Sequence, residues 1–174
     1  MISEHKELDE IDRKIIKIIE KNPNITHTEI AERVDRSQPT VGLRIKHLEE
    51  KGILNFQAGV NFKGSENFFF GQLDLQTKHP DEILDTVKRC HFILNGFRLS
   101  GNSNVSIFLT SFHLDHLEKL VNFFFRSNPN VDNLDFRIIT DVVDDFILPL
   151  DLDFDDCKCE RVEECKKIFD ETIG

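Results

Sequence analysis

Two groups of residues have types and spacings suited to chemistry. The first is Ser37, Gln38, Pro39, Thr40, Leu43, Arg44, Lys46 and His47. On a helix, Val41, Ile45 and Leu48 project to one side, so Pro39, Leu43 and Lys46 point away, flanked by Thr40, Arg44 and His47. Such a face suits a DNA major groove: Arg or Lys meets base acceptors, Gln meets donor-acceptor pairs, and an outward Leu meets a thymine methyl. The plain alternative is a solvated helix face with one stray Leu. The second group is Cys157, Cys159 and Cys165, three of the chain's four cysteines. In a reducing compartment such clustering points to a reversible thiol switch or to metal ligation rather than to a permanent disulfide. A metal centre usually takes four ligands, and the fourth here is left to Cys90, a His or another subunit. That gap favours the switch, with inert packing as the third reading. Lys158 and Arg161 favour thiolate formation, while Asp155, Asp156, Glu160 and Glu164 oppose it. Cys90, taken alone, reads as core.

The elements that position the first group are three short helices. Leu8, Ile11, Ile15, Ile18 and Ile19 recur at steps of three and four, the stripe of an amphipathic helix capped by Asp9 and stopped at Asn22-Pro23-Asn24. Thr26 with Glu29 has capping-box spacing and opens a second helix with Ile30, Ala31 and Val34 inward. Ser37 caps the third, Pro39 is tolerated in its first turn, and Gly52 closes it. The alternating segment Ile53 to Phe62 reads as a strand linking two domains.

From Phe68 the period changes. Phe68, Phe70, Leu73 and Leu75 read as a strand, and Pro80-Asp81 opens a helix with Ile83, Leu84 and Val87 inward. Ile93 to Leu99 and Val105 to Phe112 form a hairpin across the turn-forming Ser100-Gly101-Asn102-Ser103-Asn104. An apolar helix through Leu114, Leu117, Leu120, Val121, Phe124 and Phe125 stops at Ser127-Asn128-Pro129, before a last strand through Phe136, Ile138 and Ile139. The order βαββαβ predicts a ferredoxin-like sandwich whose uncovered sheet face needs a partner, so a homodimer is expected. Asp141 to Asp156 is acidic, and Val162, Cys165, Ile168 and Phe169 have the spacing of a final amphipathic helix. The expectation is therefore an α+β protein: a helix-turn-helix domain at 1–55, a linker strand at 56–67, a ferredoxin-like dimerisation and effector domain at 68–145, and an acidic, cysteine-bearing tail at 146–174.

Charge is split unevenly. The chain carries a net charge of -10, yet residues 1–55 carry 10 Lys/Arg against 11 Asp/Glu and residues 56–174 carry 12 against 21. Long-range steering toward phosphate is therefore weak, and nucleic-acid contact must come from a local face. Met1 to Glu10 is polar, with no stretch suited to a signal peptide or membrane span, so a cytoplasmic protein without a membrane partner is expected.

Read together, Leu8-Asp9, Asp12, Ile15-Ile16, Thr26, Glu29-Ile30-Ala31, Ser37, Thr40-Val41, Arg44-Ile45, Leu48-Glu49 and Gly52-Ile53 resemble the DNA-binding half of the Lrp/AsnC (leucine-responsive regulatory protein) family of transcriptional regulators. The resemblance implies a winged helix-turn-helix. Its third helix would enter the major groove of double-stranded DNA with Gln38, Pro39, Thr40 and Leu43 nearest the base edges and Arg44 and Lys46 toward phosphates. It also implies a second domain that forms dimers and larger rings and often binds an amino acid near the hairpin turn, here Gly101, Asn102 and Asn104. Asn104 stands where the family carries an acidic residue, which removes the charge partner of a ligand ammonium. Siroheme decarboxylases resemble the same two-domain layout, but the chain has no Tyr, and their His-Tyr pair is missing from Asn95-Gly96-Phe97-Arg98. A subunit that only assembles with related chains would have a less complete third helix. His113 and His116 flank Asp115 at a helix start and read as exposed capping-region residues. No catalytic group and no cofactor are assigned, the tail thiols being the candidate metal ligands.

Overall fold

The structure, a computed structural model, describes residues 8–64, 67–150, 157 and 159–173. It divides into two units, Met1–Gln57 and Ala58–Gly174. Each is built from its own local signals.

The first unit contains α1 (Glu10–Lys21), α2 (His27–Val34) and α3 (Gln38–Glu50). The expected capping box of Thr26 with Glu29 is present on α2, and the expected Asp9 cap of α1 is also part of one, with Asp12. Each satisfies two backbone N–H groups that a helix start leaves without partners. The core is wholly aliphatic: Ile15, Ile19, Ile25, Ile30, Ala31, Val34, Val41 and Ile45 form one cluster. At the end of α3 the amides of Ile53 and Leu54 both donate to the Leu48 carbonyl, at 2.9 and 3.2 Å. Gly52 supplies the required left-handed turn at φ +65°.

That closure corrects the expected linker strand. Residues 53–59 are not strand; only β1 (Val60–Asn61) is, and it pairs antiparallel with β6 (Ile147–Leu148). The amides of Ile53 and Leu54 are spent on capping α3. At Gly59 the chain runs so close to Leu148 that a Cβ would lie 2.3 Å from its carbonyl oxygen.

The second unit has the expected order: β2 (Phe69–Thr77), α4 (Pro80–Arg89), β3 (Ile93–Arg98), β4 (Val105–Ser111), α5 (Leu114–Val121) and β5 (Val131–Ile139). The antiparallel sheet runs β3-β4-β2-β5. The last turn of α5 widens into a π-helical turn, Asn122–Arg126, that delivers Phe124 and Phe125 inward. Leu73, Leu75, Val105, Ile107 and Leu109 pack on Ile83, Leu117, Leu120 and Phe125. Each such side chain contributes about 1.5–3 kcal/mol on burial.

The segment read as a tail is part of this unit. Phe146 packs its ring with Phe62, Phe70 and Phe108, and α6 (Val162–Ile173) places Cys165 in the core with Phe169 against it. Residues 151–156, the second half of the acidic run, and Lys158 lie outside the described residues. Among the described residues no helix is long and apolar enough to cross a membrane.

Candidate functional site

The third helix is anchored from one side. Val41, Ile45 and Leu48 are buried, whereas Leu43 is 70% exposed. Ser37, Gln38, Pro39, Lys46 and His47 are exposed and Thr40 is half-buried. The Ser37 hydroxyl caps α3 by accepting from the Thr40 amide at 3.4 Å, and it lies 2.7 Å from the Thr40 hydroxyl. Lys46 has only a loose ion pair, 3.8 Å from Glu50, with both side chains well exposed. It is therefore available to a phosphate.

Arg44 is placed differently from the expectation. Its guanidinium turns back onto the start of α1, Nη1 lying 2.6 Å from Asp9 Oδ2 and 2.8 Å from Asp12 Oδ1. The hydrogen bond from the Asp12 amide, followed by that from Arg44, holds the Asp9 carboxyl below its ordinary range. The same pairs raise Arg44. Arg44 thus joins the outer face of α3 to the cap of α1 and neutralises two carboxylates beside that face. Sequence spacing gave no sign of this pairing, because Asp9 and Asp12 read as caps alone.

A second concentration of cations lies on α1 and α2. Lys14, Lys17, Lys21 and Arg33 line one hollow with Ile18. Among the described residues Lys14 pairs with Glu10 at 2.7 Å and the other three have no ion pair. This local basic surface coexists with the acidic balance of the whole chain.

In the second unit the hairpin residues serve the sheet. Asn104 Oδ1 accepts from the Thr77 amide at 3.0 Å, while its Nδ2 donates to the Thr77 carbonyl at 2.7 Å. The side chain therefore extends the β2–β4 ladder beyond its last pair, Leu75 with Val105. Gly101 takes φ +143°, and Asn102 is exposed. The amide that would face a ligand is already paired at both ends.

The cysteines converge. Cys90 and Cys165 belong to one core cluster, with Cys159 packed against it. The Cys157 thiol points at the carbonyl of Arg89, Sγ to O 3.9 Å, one peptide from Cys90. Arg89 Nη1 lies 3.0 Å from Glu160, and the Arg161 guanidinium sits 3.4 Å above the Phe123 ring. These contacts hold the residues before α6 against the end of α4 and the π-helical turn after α5. Burial pushes the Cys165 thiol up to about 12 and raises Cys90 as well, so neither ionises readily. Cys159, by contrast, lines an open hollow of about 360 Å³ with Arg89 and Arg161. Among the described residues no three His, Cys, Asp or Glu side chains are arranged to hold a metal ion. Sequence left Cys90 as one of several candidates for a fourth ligand; the fold is what brings residue 90 to Cys159 and Cys165.

His116 corrects a second expectation. It is completely buried, not exposed. Its Nδ1 lies 2.8 Å from the Ser111 hydroxyl, and its ring meets Phe92 and Phe169 edge-on. Nε2 has no hydrogen-bond partner among the described residues. Burial holds the imidazole down to about 4, so it is neutral at neutral pH. The helical register of Leu117, Leu120 and Val121 places position 116 on the inward side, a signal that its polarity obscured.

Residues 8–55 match the family described as winged helix-turn-helix DNA-binding. An HTH-type transcriptional regulator of Pyrococcus abyssi, PYRAB09690, is 40% identical over 47 residues, 27% of this chain and 29% of that protein. That match spans less than a third of the relative. HTH-type transcriptional regulator Ptr1 of Methanocaldococcus jannaschii is 33% identical over 97 residues, covering 54% of this chain and 66% of its own length. Among solved structures, PH0061 of Pyrococcus horikoshii superposes with TM-score 0.71 at 19% identity, over 82% of this chain and 98% of its own. AsnC of E. coli does so with TM-score 0.63 at 14% identity, over 78% and 94%. These structural likenesses establish the fold.

Proposed function

We propose that this chain, a winged helix-turn-helix protein of the Lrp/AsnC type, is a sequence-specific regulator of transcription acting on double-stranded DNA as a homodimer or larger homo-oligomer. Its DNA affinity responds to the thiol state of the cysteines around α6. The observation that carries the DNA reading is the division of α3: one side is fixed in an aliphatic core, while Leu43 stands 70% exposed among Gln38, Thr40, Lys46 and His47. Leu43 offers a thymine methyl its apolar contact, Gln38 offers an adenine its paired hydrogen bonds, and Lys46 meets phosphate. Arg44 is a positioning residue, fixing the pose of α3 against α1.

Assembly is supported by the face of the sheet opposite α4 and α5. Phe70, Phe97 and Phe108 cluster there, and Phe97 is 42% exposed. Phe62 and Phe146 cover Phe70, so the apolar surface left open is that of Phe97 and half-buried Phe108, which suits a contact surface. A polar strip crosses it, in which Gln72 Nε2 donates to Asp74 and to Ser106 at 3.1 and 3.2 Å and Arg137 pairs with Asp74. A two-fold partner supplies two copies of α3 to half-sites about one helical turn apart. Thiol control is supported by the meeting of all four cysteines around the one additional helix.

The test is binding of the purified protein to fragmented DNA from its own source, at fixed salt, with and without reductant. Enrichment of sites with two-fold symmetry is the expected result, with a change in occupancy when reductant is withdrawn. No enrichment in either condition overturns the DNA reading; enrichment indifferent to reductant overturns only the thiol control.

A further inference from the structure

We propose that Cys90, which its position in the sequence marks as an isolated core residue, is the resolving thiol for Cys159, and that oxidation by a hydroperoxide joins the two in a disulfide that staples the start of α6 to the end of α4. The inference rests on the thiol-control reading and adds the partner and the oxidant class.

Several contacts bring the neighbourhoods of the two residues together, with Cys165 in the same cluster. Cys90 is the first residue after α4, with extended backbone at φ -97°, ψ 120°. Cys159 immediately precedes the turn into α6, and its carbonyl accepts from Val162 at 3.2 Å. Both belong to or pack against the same core cluster. The Arg89–Glu160 ion pair at 3.0 Å ties together the neighbours of these cysteines on either strand of chain. A disulfide needs a narrow range of Cα separation and a dihedral near 90°, and residues outside helices can adjust to it. Cys165, inside α6, has less freedom to do so.

The division of labour follows from access. Cys159 faces the open hollow that Arg89, Arg161, Glu82, Asp85 and Glu160 also line, so a small oxidant in solution reaches it. The thiolate attacks the outer oxygen of the hydroperoxide. The O–O bond breaks, the alcohol or water departs, and Cys159 becomes a sulfenic acid. The Cys90 sulfur then attacks the Cys159 sulfur; hydroxide leaves and takes up the Cys90 proton as water. Two thiols have lost two electrons and two protons, and one hydroperoxide has been reduced. Cys90 is too deeply buried to meet the oxidant itself, being 6% exposed, so it acts second.

The sequence makes the test direct. Trypsin cuts after Arg89, Arg98, Lys158, Arg161 and Lys166 and so puts the four cysteines on four different peptides. The full chain is treated with hydrogen peroxide or with reductant under native conditions, remaining thiols are alkylated, and the digest is read by mass spectrometry. The expected product joins residues 90–98 to residues 159–161 and disappears on reduction. Cys90→Ser should abolish it and leave a Cys159 sulfenic acid that dimedone traps. The unaltered chain already decides the matter if that variant folds poorly. A disulfide confined to Cys157, Cys159 and Cys165, or one joining Cys90 to a different cysteine, overturns this inference and leaves thiol control standing. Four alkylated thiols after peroxide overturn both.

Discussion

The two units keep their polar chemistry in opposite places. In the first, the core is entirely aliphatic, and every group with something to offer a partner stands outside it. In the second, a neutral histidine and two thiols lie within the apolar interior. The contrast shows how differently the two respond to their surroundings. An aliphatic core has nothing to titrate or oxidise, so acid reaches the first unit at surface carboxylates such as Asp9, held low by the Asp12 amide and Arg44, rather than in its interior. The second carries groups whose protonation or oxidation alters its packing.

The largest expected effects come from breaking each core in turn. Phe125→Ala, at a fully buried position, should cost the second unit about 3–5 kcal/mol, and Ile45→Ala should cost the first about 2–5 kcal/mol. Urea denaturation followed by circular dichroism measures both. Acid comes next. The folded value of His116, about 4, lies below its ordinary 6.5. The stability tied to its neutral form is therefore complete above pH 6.5 and is lost as pH falls from there toward 4. Between pH 7.5 and pH 5 that loss should be about 2 kcal/mol, and His116→Leu should remove this part of the pH dependence. An unchanged slope in that variant would show that the imidazole is not what makes the second unit acid-sensitive.

Smaller effects distinguish residues within the first unit. Leu43→Ala should change stability by less than about 0.5 kcal/mol while reducing discrimination at one base pair by about 1 kcal/mol, as competition binding with single-base variants would reveal. Lys46→Gln should lower the salt dependence of DNA affinity by about one phosphate contact. Arg44→Gln should leave that salt slope unchanged while weakening binding to all sequences, because its guanidinium is already paired with Asp9 and Asp12. Equal slopes for the two variants would place Arg44 on the phosphates after all.

Most of the fold was legible because its signals are local. Asp9 with Asp12, Thr26 with Glu29, Ser37 and Gly52 mark helix ends within four residues of themselves, and strand alternation announces the sheet. What escaped the sequence depends on pairs far apart in the chain. Arg44 meets Asp9 across 35 positions, and Asn104 meets Thr77 across 27. Cys90 and the residues near 157–165 meet only after β3, β4, α5 and β5 have assembled between them. The linker strand failed for a related reason: alternation gives a segment the capacity to pair, but Ile53 and Leu54 had already been claimed by the cap of α3.

The order in which a ribosome delivers the chain gives α6 a further significance. Domains fold as their residues emerge, the N-terminal ones first, and α6 is made after everything it packs against. Until it arrives, the flank of Phe92 and His116 that Phe169 covers lies open, whereas the helix-turn-helix has long been complete. A growing chain therefore completes its helix-turn-helix well before the interior of its second unit is sealed.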